Sequence, residues 1–398
     1  MGIANQKNCT KIMIMIIKFR RKIEDRIKKY LFKGDAIVIY GARQVGKTTL
    51  VNKILAEYGD DGKYYNCELK ENRDLLQTTN SQDLGRLVSK YKIVVLDEAQ
   101  KITDIGTILK ILVDTFPKVQ IIATGSSSFD LANKINEPMT GRTKTFSLYP
   151  LAIEELIENY DFAQINGNLE NILRFGLYPK VFDRNAEESI MELSELTNKY
   201  LYRDILSFNQ IRKSTLVEDL LKLVALQVGS EVSYEELSVK LGVDRLTVIK
   251  YLDILEQMFV IFSLRAFSRN IRDEVSKSIK IYFWDVGIRN AILGLYNNLS
   301  VRDDVGKLWE NFCIVERMKY NANNFILGNV YFWRTYDQKE IDYIEEINGE
   351  INGYEFKWGD NTKIRGKGKF EETYGGKAMI INRKNYLDFL IKKMVEKK

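Results

Sequence analysis

The sequence contains no histidine. That absence excludes every mechanism that uses imidazole as general base, nucleophile partner or metal ligand. Catalysis by this chain has to run on carboxylates, Lys, Arg, hydroxyls and bound metal. Cysteine is nearly as scarce. Cys9, Cys67 and Cys313 are odd in number and far apart, so neither a disulfide framework nor a cysteine-only metal site is indicated. The apolar run near the start, Ile12 to Ile17 (IMIMII), falls far short of the roughly 20 apolar residues a spanning helix needs. The basic cluster Lys18, Arg20, Arg21 and Lys22 follows this run instead of preceding it, the wrong order for a secretory signal. The expectation is a cytoplasmic protein without a membrane segment.

A charge extreme is lacking as well. Sixty basic against 54 acidic residues leave +6, too mild to name a partner. The distribution says more: residues 359–398 carry eleven Lys/Arg and five Asp/Glu, a local excess of +6. Such a tail is either a solvated face or a contact for a phosphate backbone. With 398 residues, 45% of them apolar and 29% charged, the composition is that of an ordinary globular chain of two or three domains.

What is present begins at AIVIY (36–40), a short apolar run suited to a buried parallel strand. GARQVGKTTL (41–50) follows at once and leads into the helix-like VNKILAEY. Gly41, four residues, then Gly46-Lys47-Thr48 is the P-loop pattern in its strand–loop–helix setting. Its glycines let backbone N–H groups close around phosphate, and the helix N-terminus adds partial positive charge. Gly41, Ala42, Arg43, Gln44, Val45, Gly46, Lys47, Thr48 and Thr49 are the candidate nucleotide-binding residues. Lys47 reaches the β- and γ-phosphates, and the Thr48 hydroxyl coordinates magnesium.

KIVVLDEAQ (92–100) is a second buried strand, ending in Asp97-Glu98. An acid there can hold magnesium, and Glu98 can orient or deprotonate an attacking water. VQIIATGSS (119–127) is a third, with Thr124 and Ser126 as candidates to sense the γ-phosphate; TGSSS is also ordinary turn chemistry. Arg142, in TGRTKTFSLYPL, is either a transition-state arginine, in cis or from a neighbouring subunit, or a surface residue. ATP and Mg2+ are the expected cofactors, and a homo-oligomer is one possible assembly.

GARQVGKTTL, VVLDEAQ, IIATGSS, Gly141-Arg142 with Pro150-Leu151, GLYP (176–179) and YLYRDI (200–205) occur in this order. Together they resemble a prokaryotic family of AAA-type ATPases in which a P-loop domain precedes a winged helix and a restriction-endonuclease-like tail. The resemblance implies the roles given above for Lys47, Thr48, Asp97 and Glu98, and a lid arginine, Arg203, that reaches the nucleotide. The fold expected is therefore α/β. A P-loop parallel sheet occupies 1–150, a helical lid 151–215, a winged helix-turn-helix 216–275 and an α/β endonuclease-like domain 276–398.

The middle supports this reading. LAIEELIENY and ESIMELSELTNKYLYRDIL are helical in pattern. SYEELSVKLGVDRLTVIKYLDILEQMFVIFSL (233–264) reads as helix, turn, helix and an apolar β-like wing, with Asp244 as N-cap. Arg245, Thr247, Lys250 and Tyr251 are candidate DNA contacts, while Asp253 and Glu256 oppose a phosphate backbone. The alternative is a packing module that meets protein.

Finally, EIDYIEEINGEINGYEFKW (340–358) carries Asn348-Gly349, the strongest signal for a two-residue hairpin. A turn there sets Asp342 opposite Glu355 and Glu340 opposite Lys357, all on one face. Ile341, Tyr343, Tyr354, Phe356 and Trp358 take the other. Two carboxylates directly opposite repel. A divalent metal between them removes the repulsion, and Lys357 beside it steadies charge on phosphate. This is the metal-nuclease arrangement the resemblance implies, with Glu310 in GKLWENF as an added carboxylate. Asn352-Gly353 is a rival turn that pairs Asp342 with Lys363 and dissolves the site. A metal-dependent DNA nuclease and an inactive, nuclease-like scaffold both remain open.

Overall fold

The computed structural model describes residues 19–126, 135, 139–202, 214–267, 279–335, 339–360 and 363–391. They form two compact units, one running to Leu151 and including Gln257–Phe259, the other holding Ala152–Glu256 and the chain from Val260. Among the described residues no helix is long and apolar enough to cross a membrane.

The first unit is an α/β layer. Strands β1 (Ala36–Tyr40), β2 (Gly62–Asn66), β3 (Ile93–Asp97), β4 (Gln120–Gly125) and β5 (Thr143–Ser147) form an all-parallel sheet in the order β2-β3-β4-β1-β5. β1, β3 and β4 are buried along their whole length, which is why they read as unbroken apolar runs with no alternation. Among the described residues the helices of this unit include α1 (Ile23–Tyr30), α2 (Lys47–Ala56), α3 (Lys70–Leu76), α4 (Ser81–Val88) and α5 (Ile105–Thr115). Leu84 and Val88 of α4, with Ile105, Leu109 and Leu112 of α5, pack on Val38, Val94, Leu96 and Ile121 in one core.

The second unit is built on a mixed seven-stranded sheet. Its strands are β6 (Glu231–Val232), β7 (Ile261–Ala266), β8 (Ile279–Phe283), β9 (Asn329–Arg334), β10 (Glu340–Ile347), β11 (Glu350–Phe356) and β12 (Lys377–Ile381), in the order β12-β11-β10-β9-β7-β8-β6. The helices used below are α6 (Tyr234–Leu241), α7 (Arg245–Gln257) and α8 (Val305–Asn324). α8 packs on β8 and β11. Its Asn311 side chain accepts from the Phe283 N–H at 2.9 Å and donates to the Phe283 carbonyl at 2.8 Å, which docks helix to strand.

The helix pair forms as its sequence dictates. Gly242 takes φ 64° between α6 and α7, and the Asp244 carboxylate accepts from the Thr247 N–H at 2.9 Å. Three details differ from expectation. Tyr251, a candidate DNA contact, is buried, because it lies one turn along the inward face from Val248. The run expected to form a wing, β7, is an interior strand between β8 and β9. β7 and β8, expected in different domains, pair antiparallel in one sheet.

The hairpin turns at Asn348 (φ 53°) and Gly349 (φ 81°), and Tyr343 pairs with Tyr354, Ile347 with Glu350. That is the register the first Asn-Gly specifies. The rival turn is not formed: Gly353 sits within β11 opposite Ile344. One face differs. The pairing of β10 with β9 slips between Ile341 and Ile344, a bulge at Asp342-Tyr343. Ile341 therefore joins Ile344, Trp333 and Phe370 instead of sharing a face with Tyr343. Tyr343 meets Tyr354 and Phe356, at 6.1 and 6.4 Å between ring centroids.

Candidate active site

The phosphate loop is fixed by close approach at its first glycine and by a left-handed backbone at its last. A Cβ on Gly41 would stand 2.1 Å from the Leu148 carbonyl oxygen, so only glycine fits. Gly46, at φ 102°, opens α2, whose first residue is Lys47. Behind the loop the buried Arg21 guanidinium donates to the Val45 and Tyr149 carbonyls, both at 2.6 Å. Lys47 is buried, and its ammonium donates to the Gly41 carbonyl at 2.7 Å and the Ala42 carbonyl at 2.9 Å. The exposed Thr48 donates its hydroxyl to Asp97 at 2.8 Å.

Asp97 is the hub. Besides Thr48, its carboxylate accepts from the Tyr64 hydroxyl at 2.6 Å and from the Thr124 hydroxyl at short range. Burial, then Asp97 itself, pushes the Tyr64 phenol up, so Tyr64 stays a proton donor. The next residue, Glu98, holds a left-handed backbone (φ 57°), a conformation costing a non-glycine residue about 1–3 kcal/mol. Its N–H donates to the Thr124 hydroxyl at 3.0 Å. Its carboxylate accepts from Gln100, whose amide also donates to Ser126 at 3.0 Å. β1, β3 and β4 thus bring Lys47, Thr48, Asp97, Glu98, Thr124 and Ser126 to one end of the sheet. Sequence reading missed Tyr64, Gln100 and Arg21.

Arg142 is not brought there. Its carbonyl accepts from the Ala36 N–H at 2.9 Å, and Thr143 beside it pairs with Ala36, the first residue of β1. The loop begins after Tyr40, so Arg142 stands about four residues away at roughly 3.3 Å each, at the other end of a parallel sheet. Its guanidinium pairs with Asp114 at 2.7 Å. A role in cis on the nucleotide of its own chain is thereby corrected. Arg203 lies outside the described residues.

The hairpin acids form a second cluster, with partners the sequence did not announce. Continuing the hairpin register by one pair sets Asp342 opposite Glu355, and Asp342 accepts from the Phe356 N–H at 2.9 Å. Lys357 pairs with Glu355 at 2.6 Å and not with Glu340. Glu340 pairs instead with Lys280 of β8. The Lys280 ammonium also lies 3.4 Å from Glu310 and 3.9 Å from Asp342, and the Tyr282 hydroxyl donates to Glu310 at 2.6 Å. In IKIYF (279–283) Lys280 and Tyr282 alternate with apolar residues, the one signal that places both on a shared face. Burial pushes the Glu310 carboxyl up to about 8, against the pull of Lys280 and with the push of Asp342. Burial and the Asp342 charge raise Glu355 to about 7. Burial also raises Asp342.

Residues 33–157 match the family described as AAA domain. An AAA-type P-loop domain therefore heads this chain. Residues 166–299 and 305–394 match two domains of unknown function, DUF8612 and DUF4143. An uncharacterized protein of Mycobacterium tuberculosis is 26% identical over 351 residues, 87% of this chain and 75% of that protein. An uncharacterized protein of Methanocaldococcus jannaschii is 27% identical over 322 residues, 68% of this chain and 65% of that one. Among solved structures, a Walker-type ATPase of Pyrococcus abyssi aligns over 69% of this chain and 96% of its own, at 18% identity and a TM-score of 0.49.

The two acid sites answer differently to a divalent cation. In the AAA-type domain the donor set fits magnesium: a threonine hydroxyl and a buried carboxylate within one hydrogen bond of each other, beside a phosphate-binding loop. In the second unit the set does not fit. Among the described residues no three Asp, Glu or Cys side chains converge to hold a metal ion, and Lys280 lies between the carboxylates that would have to.

Proposed function

We propose that this chain binds and hydrolyses ATP, and that nucleotide turnover switches the state of its second unit. The observation that carries the reading is the buried Asp97 carboxylate, which accepts hydroxyls from Thr48, Tyr64 and Thr124 beside Glu98. In this reading the backbone N–H groups of residues 41–49 cradle the phosphates. Lys47 exchanges its loop carbonyls for β- and γ-phosphate oxygens, and Thr48 with Asp97 holds magnesium. Magnesium, when bound, neutralises charge on the phosphates. Glu98 orients the attacking water and takes its proton, and Thr124 ties the Glu98 N–H to the Asp97 carboxylate. Arg142 can assist only from a neighbouring copy.

For the second unit, two readings differ in what the hairpin does. One is a metal-dependent DNA nuclease with a winged helix; the other is a nucleotide-gated switch with a nuclease-like, catalytically silent tail. The ion pairing of Lys280 with Glu310 and Glu340 favours the switch. DNA and protein remain the two partner classes for the α6–α7 helix pair, with Arg245 and Lys250 exposed on it.

Phosphate release in Mg2+ with ATP tests the central claim. Lys47→Ala is expected to lose about 100-fold or more in turnover, the cost of removing a charged donor from a developing oxyanion. Unchanged release in that variant would sink the proposal.

A further inference from the structure

The second unit holds four carboxylates in one neighbourhood, those of Glu310, Glu340, Asp342 and Glu355, and two ammonium groups, those of Lys280 and Lys357. Lys357 serves Glu355. Lys280 serves the other three. It is 1% exposed, and its backbone is pinned between two strands, opposite Leu264 of β7 and Glu231 of β6. Its ammonium also lies 5.4 Å above the centre of the Phe332 ring. A long side chain held on both sides and capped by an aromatic face has one place to put its charge. That place is among the acids.

One oxygen is left over. Glu355 is 8% exposed, and its Oε2 is buried with no hydrogen-bond partner among the described residues. A buried carboxylate oxygen without a donor is costly, and it marks a site whose acids outnumber the cations supplied.

We infer that Lys280 is the resident cation of this cluster: it fills the position that a divalent metal would need, and neutralising it converts the same carboxylates into a divalent-cation site. The geometry argues for displacement and not for sharing. Metal–oxygen contacts run about 2.0–2.6 Å. Of the three oxygens around the Lys280 nitrogen, Glu340's alone is close, and those of Glu310 and Asp342 stand 3.4 and 3.9 Å away, too far to be metal ligands at that point. An added dication would also meet the ammonium at contact range, in a buried setting where like charges repel strongly. Without Lys280, four carboxylates are left with one lysine; as placed they do not converge on one point, and a hard cation with oxygen ligands is the species that would draw them together. The inference rests on reading the second unit as a silent, nuclease-like body, and it names the side chain that silences it.

The test uses the full chain carrying Asp97→Asn, so that the nucleotide site does not contribute, and Mn2+ titrated by calorimetry. With Lys280 present no Mn2+ binding attributable to Asp342 is expected. Adding Lys280→Met is expected to raise Mn2+ affinity at least about tenfold, the lower end of what a change around a metal site does, and to make the Tm rise with Mn2+. Adding Asp342→Asn should abolish that gain. If Lys280→Met alone fails to fold, the pair Lys280→Met with Glu340→Gln removes a charge of each sign and leaves Glu310, Asp342 and Glu355 for the same titration. Two results overturn the inference: Mn2+ binding in the Lys280 protein that Asp342→Asn abolishes, or a folded Lys280→Met protein that binds none. Phosphate release by the protein with Asp97 intact reads the ATPase proposal separately, so either idea can fall without the other.

Discussion

Asp97 and Asp342 are both buried acids on sheet strands, 3% and 9% exposed. They are held in different ways. Asp97 accepts from hydroxyl donors on three elements. Asp342 lies 3.9 Å from the ammonium of Lys280, in a cluster that carries its own cations. Hydroxyls hold a carboxylate in place yet leave its charge uncancelled, so a cation from outside is still attracted. An in-chain lysine cancels the charge and closes the position. The same residue type thus serves as a docking point in one unit and as a structural ion pair in the other.

The comparison breaks most visibly if chemistry is removed from the first site. Glu98→Gln keeps the shape and the hydrogen bond from Gln100 and deletes the base. Turnover should fall by about 10²–10⁴, the range for a general base, while ATP binding persists. Equilibrium nucleotide binding beside phosphate release checks both halves. The equivalent change in the second unit, Glu355→Gln, should leave hydrolysis at the first site alone.

That second change matters to stability instead. Glu310, raised to about 8, and Glu355, raised to about 7, both start from an ordinary value near 4.5. A folded-state value above the unfolded one means the native protein holds these protons more tightly. The stability this supplies is complete below about 4.5 and is lost as pH climbs toward 7 and 8. The groups facing the pair are Lys280, Lys357, Glu340, Asp342 and Tyr282. The Tm of the second unit is therefore expected to drop between pH 5 and 8, and Glu355→Gln to flatten that drop. A Tm that rises across the window in the parent protein would refute the assignment of these protons.

How much of this was legible in the sequence follows from locality. The phosphate loop is a local event: an apolar strand, Gly41 and Gly46 where only glycine fits, and a helix. The hairpin is local too, since Asn348-Gly349 alone fixes its register. Lys280 was out of reach because it arrives through a chain of strand pairings, β8 to β7 to β9 to β10, that no short-range pattern encodes. The bulge at Asp342-Tyr343 is likewise set by β9 and not by β10. Arg142 is a different case. It precedes β5 in the chain, and in a parallel sheet the residue before a strand lies at the end away from a loop that follows a strand.

The finest test of the comparison removes one hydroxyl from each cluster. Tyr64 donates to Asp97 at 2.6 Å and Tyr282 donates to Glu310 at 2.6 Å, so Tyr64→Phe and Tyr282→Phe delete matched hydrogen bonds. The bond to the Asp97 carboxylate is worth about 1.5–3 kcal/mol, and the one to Glu310, which keeps its proton below about 8, about 0.5–1.5 kcal/mol, so the stability losses should follow that order. Their effects on activity should part. Asp97 keeps Thr48 and Thr124 after Tyr64→Phe, so turnover at saturating Mg2+ should change little while the Mg2+ concentration for half-maximal turnover shifts. Tyr282→Phe should leave that Mg2+ dependence untouched, because Glu310 retains Lys280 and meets no outside cation. A Mg2+ dependence that moved equally in both variants would erase the distinction between a carboxylate waiting for a cation and one that already has its own.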